Sequence, residues 1–80
     1  MNKDIDYNIP IEKHWWDLMS MAARYELELI LEKEHLPTEN ILIIEIKKNS
    51  KVIYRSTGEE KSYETFIRTL NFINSFLQIE

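Results

Sequence analysis

The stretch IEKHWWDLMSMAARYELELILEKEH, Ile11 to His35, decides how the rest of the chain is read. It holds neither glycine nor proline, and it is rich in Leu, Met, Ala, Glu and Lys, all good helix formers. Turned at about 100° per residue, Lys13, Asp17, Ser20, Arg24, Glu28 and His35 gather into one narrow polar stripe. Trp15, Leu18, Ala22, Tyr25 and Leu29 fall on one apolar flank, with Trp16, Met19, Ala23, Leu27 and Ile30 on the other. The pattern predicts a single helix over 11–35 whose apolar arc is roughly twice what a surface helix needs. Such a surface asks for two partners, the chain's own sheet and a second molecule. Glu26 fits badly near the middle of that arc, where an unpaired carboxylate is costly. It is expected to escape at the edge, to pair with Arg55, Arg68 or a lysine of another chain, or to stay buried with its pKa raised.

Outward from this stretch the elements follow from period and punctuation. Ile5, Tyr7 and Ile9 alternate with Asp4, Asp6 and Asn8, which predicts a half-buried strand over 3–9. Pro10 closes that strand and suits a helix start, and Pro37 forces Leu36 out of helical geometry. The β-branched run Ile41 to Ile46 predicts a central strand over 41–47. Asn49-Ser50 reads as a hairpin turn, with a returning strand over 51–57. A two-residue loop would set Ile46 opposite Ile53, and a three-residue loop would set it opposite Tyr54. Thr57 to Lys61 reads as a polar loop around the only glycine. Ser62 is a candidate N-cap, followed by the stripe Tyr63, Phe66, Ile67, Leu70, Ile73 and Leu77, a helix over 62–78. Phe72 falls outside that stripe and is expected to be exposed.

These elements predict one α+β domain over 1–80 with the order β-α-β-β-α. A right-handed crossover would make the first strand parallel to the second. The expected sheet is three-stranded and mixed, with both helices packed on one face.

Composition narrows the function classes. With no cysteine there are no disulfides or thiolate metal sites, so stability must come from dense packing or self-association. The net charge is −4, and in the first forty residues nine acids face four bases. Lys47, Lys48, Lys51 and Arg55 cluster in the second half, but an acidic chain with one small basic patch is a poor general binder of nucleic acid. No signal-peptide core and no membrane-spanning apolar run is present, so a cytoplasmic location is expected.

Catalytic chemistry finds little footing. On one helix His14 and His35 would stand about 30 Å apart, too far to share a metal ion. Glu32 and His35 have the Glu-x-x-His spacing of carboxylate di-iron sites, but such sites need a second motif and further glutamates. No nucleophile elbow surrounds any serine, and one glycine excludes glycine-rich phosphate loops. No enzyme activity, metal or cofactor is therefore expected. The helix–hairpin–helix portion invites comparison with double-stranded-RNA-binding domains, ordered α-β-β-β-α, which carry lysines at the start of the last helix. Here Glu59, Glu60 and Glu64 surround a lone Lys61. KH modules need a Gly-x-x-Gly loop that this chain lacks. No family is identified.

A binding role is the expectation that remains. Adjacent tryptophans on a helix point about 100° apart, so one of Trp15 and Trp16 enters the core and the other can anchor a partner. Trp15, Trp16, Asp17, Glu28 and Glu32 are the candidate partner-binding residues, the carboxylates offering a spacing that imitates nucleic-acid phosphates. The favoured function is an inhibitor or modulator of another protein, of the kind carried by phages and mobile elements (anti-CRISPR or other anti-defence proteins, antitoxins, immunity proteins), acting as a homodimer. The alternatives are a dimeric nucleic-acid-binding regulator using Lys47, Lys48, Lys51 and Arg55, and a structural assembly subunit.

Overall fold

The structure is a computed structural model that describes residues 6–79. Its elements are α1 (Ile11–Arg24), β1 (Glu28–His35), β2 (Asn40–Lys48), β3 (Lys51–Glu59) and α2 (Tyr63–Ile79). The strands form one antiparallel sheet in the order β1-β2-β3. The α+β class and the three-stranded sheet match the sequence reading. The element order is α-β-β-β-α rather than β-α-β-β-α, and the sheet is antiparallel rather than mixed. Of the strand expected over 3–9, residues 3–5 lie outside the described residues. Residues 6–9 form a turn, closed by Ile9 N–H to Asp6 O (3.1 Å) and Asn8 N–H to the Asp6 carboxylate (2.9 Å).

The helix expected over 11–35 is two elements, and the break falls at Tyr25-Glu26-Leu27. Glu26 takes a positive φ of 64°. Its N–H donates to Ala23 O and the Leu27 N–H reaches back to Ala22 O, both at 3.0 Å. This is a Schellman ending, in which the left-handed residue satisfies the helix's last carbonyls. Leu27 and Ala22 are both buried, the apolar contact that accompanies such an ending. The misfit of Glu26 is thereby explained: it sits in a turn with its side chain exposed, and Arg55 and Arg68 pair with Glu45 and Glu64 instead. Glycine is the usual residue at this position because a Cβ there costs about 1–2 kcal/mol. Glu26→Gly is expected to raise stability by about 0.5–1 kcal/mol after the extra freedom of the unfolded chain is counted. Urea unfolding measures it, and a lower midpoint would count against the left-handed assignment.

Beyond the turn, strand pairing overrides helix propensity. Leu29 and Leu31 pair with the buried Ile46 and Ile44, so they face the helices. Glu28, Ile30, Glu32 and Glu34 occupy the opposite face. The apolar arc read across 11–35 is thus divided between α1, which buries Ile11, Trp15, Leu18 and Ala22, and a strand. The wide helical face is therefore not one continuous surface.

The core lies between the sheet and both helices, with Leu42, Ile44 and Ile46 of β2 at its centre and Phe66 and Ile73 of α2 above them. The β2–β3 hairpin combines the two registers left open by the sequence. Asn49 and Ser50 form a two-residue turn, both at positive φ, with Lys48 opposite Lys51. A bulge then shifts the pairing so that Ile46 faces Tyr54. Tyr54 thereby stacks on Phe72 (centroids 4.5 Å apart), which in turn stacks on Phe76. Phe72 is half-buried, against the expectation of exposure. Strand β3 continues through Gly58 to Glu59 where a loop was expected. Ser62 caps α2, its Oγ accepting from Thr65 N–H at 3.3 Å.

Candidate interaction surface

Trp15 and Trp16 part as the helical geometry requires. The Trp15 ring is 4% exposed and meets Phe66 edge-on at 5.1 Å. Buried in the core, it offers a partner no exposed ring, only the part of its surface that lines the neighbouring groove. Among the described residues its Nε1 has no hydrogen-bond partner. Trp16 is 67% exposed.

Trp16 borders an apolar groove of about 150 Å³. The groove follows from how α1 sits over β1. His14, Leu18 and Met21 face α2, lining a second depression with Phe66 and Leu70. Glu12, Trp16 and Met19 therefore lie on the opposite flank, beside the edge of the sheet. Ile11, Trp15, Trp16 and Met19 form the helical wall, and Leu31 and Leu42 form the sheet wall. Lys33, Glu60 and Glu12 close one end. Lys33 Nζ lies 2.6 Å from Glu60, and Lys61 lies 3.8 Å from Glu12. The hydrogen bond from Lys33 holds the Glu60 carboxyl below the usual carboxylate range, burial partly opposing it, and a bond with Asn40 adds to the lowering. The same bond raises Lys33. With a depressed folded-state value, what Glu60 contributes to stability is present above the ordinary carboxylate range and is lost as pH falls through the depressed value.

The carboxylates read as a helical phosphate mimic do not share an element. Asp17 stays on α1, bound to Lys13 at 2.7 Å. Glu28 and Glu32 stand on the open face of β1, joined there by Glu34, which the sequence reading passed over. Strand alternation from Glu28 to Glu34 was the signal that could have found it.

The four basic residues are divided as well. Lys47 and Arg55 share the open sheet face, opposite Glu28 and Glu45 in register, with Arg55 Nε 3.4 Å from Glu45. Lys48 turns toward the helices, its Nζ 5.9 Å from the Phe76 centroid, and Lys51 is its cross-strand partner. They form two pairs on two faces, where a nucleic-acid contact would want one patch. The α-β-β-β-α order is that of double-stranded-RNA-binding domains, yet the start of α2 keeps the reversed charge noted in the sequence.

His14 Nε2 lies 2.9 Å from Asp6 O, and His35 Nδ1 lies 2.7 Å from the Asn40 side chain. Glu32 and His35 are on a strand, pointing to opposite faces, so their helical spacing does not exist. Among the described residues no three His, Cys, Asp or Glu side chains gather around a metal-sized space, and no helix is long and apolar enough to cross a membrane. Comparison with protein-family models, with curated proteins and with solved structures finds no match to this chain.

Proposed function

We propose that this chain is a small non-enzymatic protein-binding module, an inhibitor or modulator that acts by covering a surface of another protein. The observation that carries the reading is Trp16, two-thirds exposed at the mouth of an apolar groove. Tryptophan is enriched among the few residues that dominate binding energy, and an anchor of this kind works beside a pocket. The residues that converge here are apolar, with ion pairs at one end, an arrangement suited to recognition rather than to proton transfer. The open sheet face, with Ile30, Ile41 and Ile43, is the surface left for self-association.

The test is capture from a bacterial lysate by the tagged chain and by Trp16→Ala, with and without nuclease. One dominant protein is expected that survives nuclease and is lost with Trp16→Ala. The variant's own stability should stay within about 0.5 kcal/mol of the parent, since its side chain is exposed. Captured material that disappears with nuclease would overturn the reading in favour of the regulator using Lys47, Lys48, Lys51 and Arg55. Light scattering of the chain alone reports self-association.

A further inference from the structure

Strand β1 is an edge: among the described residues it pairs with β2 on one side and with nothing on the other. In an antiparallel strand successive residues direct their backbone groups to alternate sides. About half of its N–H and C=O groups therefore point outward, available to another strand. The apolar groove begins on this strand, lined by Leu31 and Lys33 of β1, and runs inward under α1 to Leu42 of β2. On the other face of the strand stand Glu28, Glu32 and Glu34, all exposed.

From this juxtaposition we propose that the partner docks as an added fourth strand on β1, through an extended segment in which Lys or Arg alternates with large apolar residues. The inference rests on the protein-binding reading and specifies its mode. A strand placed beside β1 at the normal spacing of about 4.8 Å continues the sheet, and its side chains alternate in step with those of β1. Those on the helix side enter the groove beneath Trp16 and Met19. Its volume, about 150 Å³, matches that of a cavity able to hold a benzene ring, so one Leu, Met or Phe side chain fills it. Those on the other side stand next to Glu28, Glu32 and Glu34, where cross-strand pairing rewards opposite charge. The Lys33–Glu60 pair ends the groove and fixes how far an apolar series can run. A peptide with acidic residues at the alternate positions meets like charge along the strand. Sequence periodicity in the partner thus becomes the basis of selection.

The probe is the synthetic peptide Lys-Leu-Lys-Phe-Lys-Leu-Lys. Its controls carry Glu in place of Lys, or N-methyl groups on alternate backbone amides. Binding is followed by amide and indole shifts in nitrogen-15 spectra and by hydrogen exchange. The parent peptide is expected to bind, to shift the Trp16 indole and to slow exchange of the outward amides of β1. Affinity should fall about tenfold on Glu32→Lys with Glu34→Lys, neither of which lines the groove, and binding should be lost with the Glu or N-methylated controls. If the N-methylated peptide binds as well as the parent, the groove takes side chains without an added strand; the inference fails while the protein-binding reading stands. If none of the peptides binds at millimolar concentration, the inference also fails, and capture with Trp16→Ala judges the broader reading separately. If the β1 amides of the protein alone are already protected, and lose that protection on dilution, the edge belongs to a second copy and the proposal is overturned.

Discussion

Trp15→Ala is expected to lower the unfolding free energy by about 3–5 kcal/mol, the cost typical of deleting a large buried ring. In a domain of this size that corresponds to a fall in Tm of roughly 15–30 °C. The indole is the broadest side chain in the core, touching Phe66 of α2 on one side and forming part of the groove wall on the other. Removing it loosens the contact of both helices with the sheet at once. Trp15→Phe makes a sharper comparison. It keeps an aromatic edge against Phe66 and deletes the Nε1–H, which has no partner among the described residues and whose burial without one costs about 1–3 kcal/mol. Phenylalanine should therefore cost much less than alanine, about 1 kcal/mol, despite the lost volume. Urea unfolding followed by circular dichroism separates the two. Equal losses for both variants would show that a phenyl ring cannot replace the indole against Phe66, and a loss below about 1 kcal/mol for alanine would remove Trp15 from the core.

The second large effect belongs to the only glycine. Gly58→Ala is expected to destabilise the fold by about 1–3 kcal/mol through overpacking. Gly58 has no positive φ, so alanine suits its backbone and the cost is purely steric. A Cβ there would collide with Thr65 Oγ1 and stand 3.0 Å from Thr65 Cβ. Thr65 has little room to retreat. It is buried in the first turn of α2, its N–H bound to the Ser62 cap and its carbonyl accepting from Thr69 Oγ1 at 3.0 Å. Gly58 thus sets how closely the start of α2 approaches β3. Adding Thr65→Ala to Gly58→Ala should recover part of the loss, a coupling visible in a double-mutant cycle. Strict additivity would mean that the two residues do not touch.

The parts of the fold legible in the sequence were those with one dominant signal. The β-branched run of β2, the Asn49-Ser50 turn and the apolar stripe of α2 appear within a residue or two of their expected positions. Residues 25–35 were misread because two periods coexist there. Leu27 and Ile30 extend the helical pattern of α1, while Leu27, Leu29 and Leu31 alternate with Glu26 and Glu28 as a strand does. Helix propensity favoured the first reading, and neither glycine nor proline marked the break. The tryptophan pair was legible as one buried and one exposed ring, though not which was which. The groove was not legible, since it depends on the misplaced β1 lying beneath α1.

The Schellman turn at Glu26 has a consequence for how the chain acquires its shape. A left-handed glutamate does not stop a helix by itself, and the residues after it are good helix formers. Until β2 is present, the local code of residues 11–35 favours continuous helix, in conflict with the final pairing. The β2–β3 hairpin has the shorter loop to close and needs no such conversion. Docking of β1 onto that hairpin is then expected to be the step that turns helical bias into sheet. A peptide of residues 11–35 alone is therefore expected to carry helix past Arg24, which circular dichroism would detect, and residues 40–48 are what hold 28–35 as a strand.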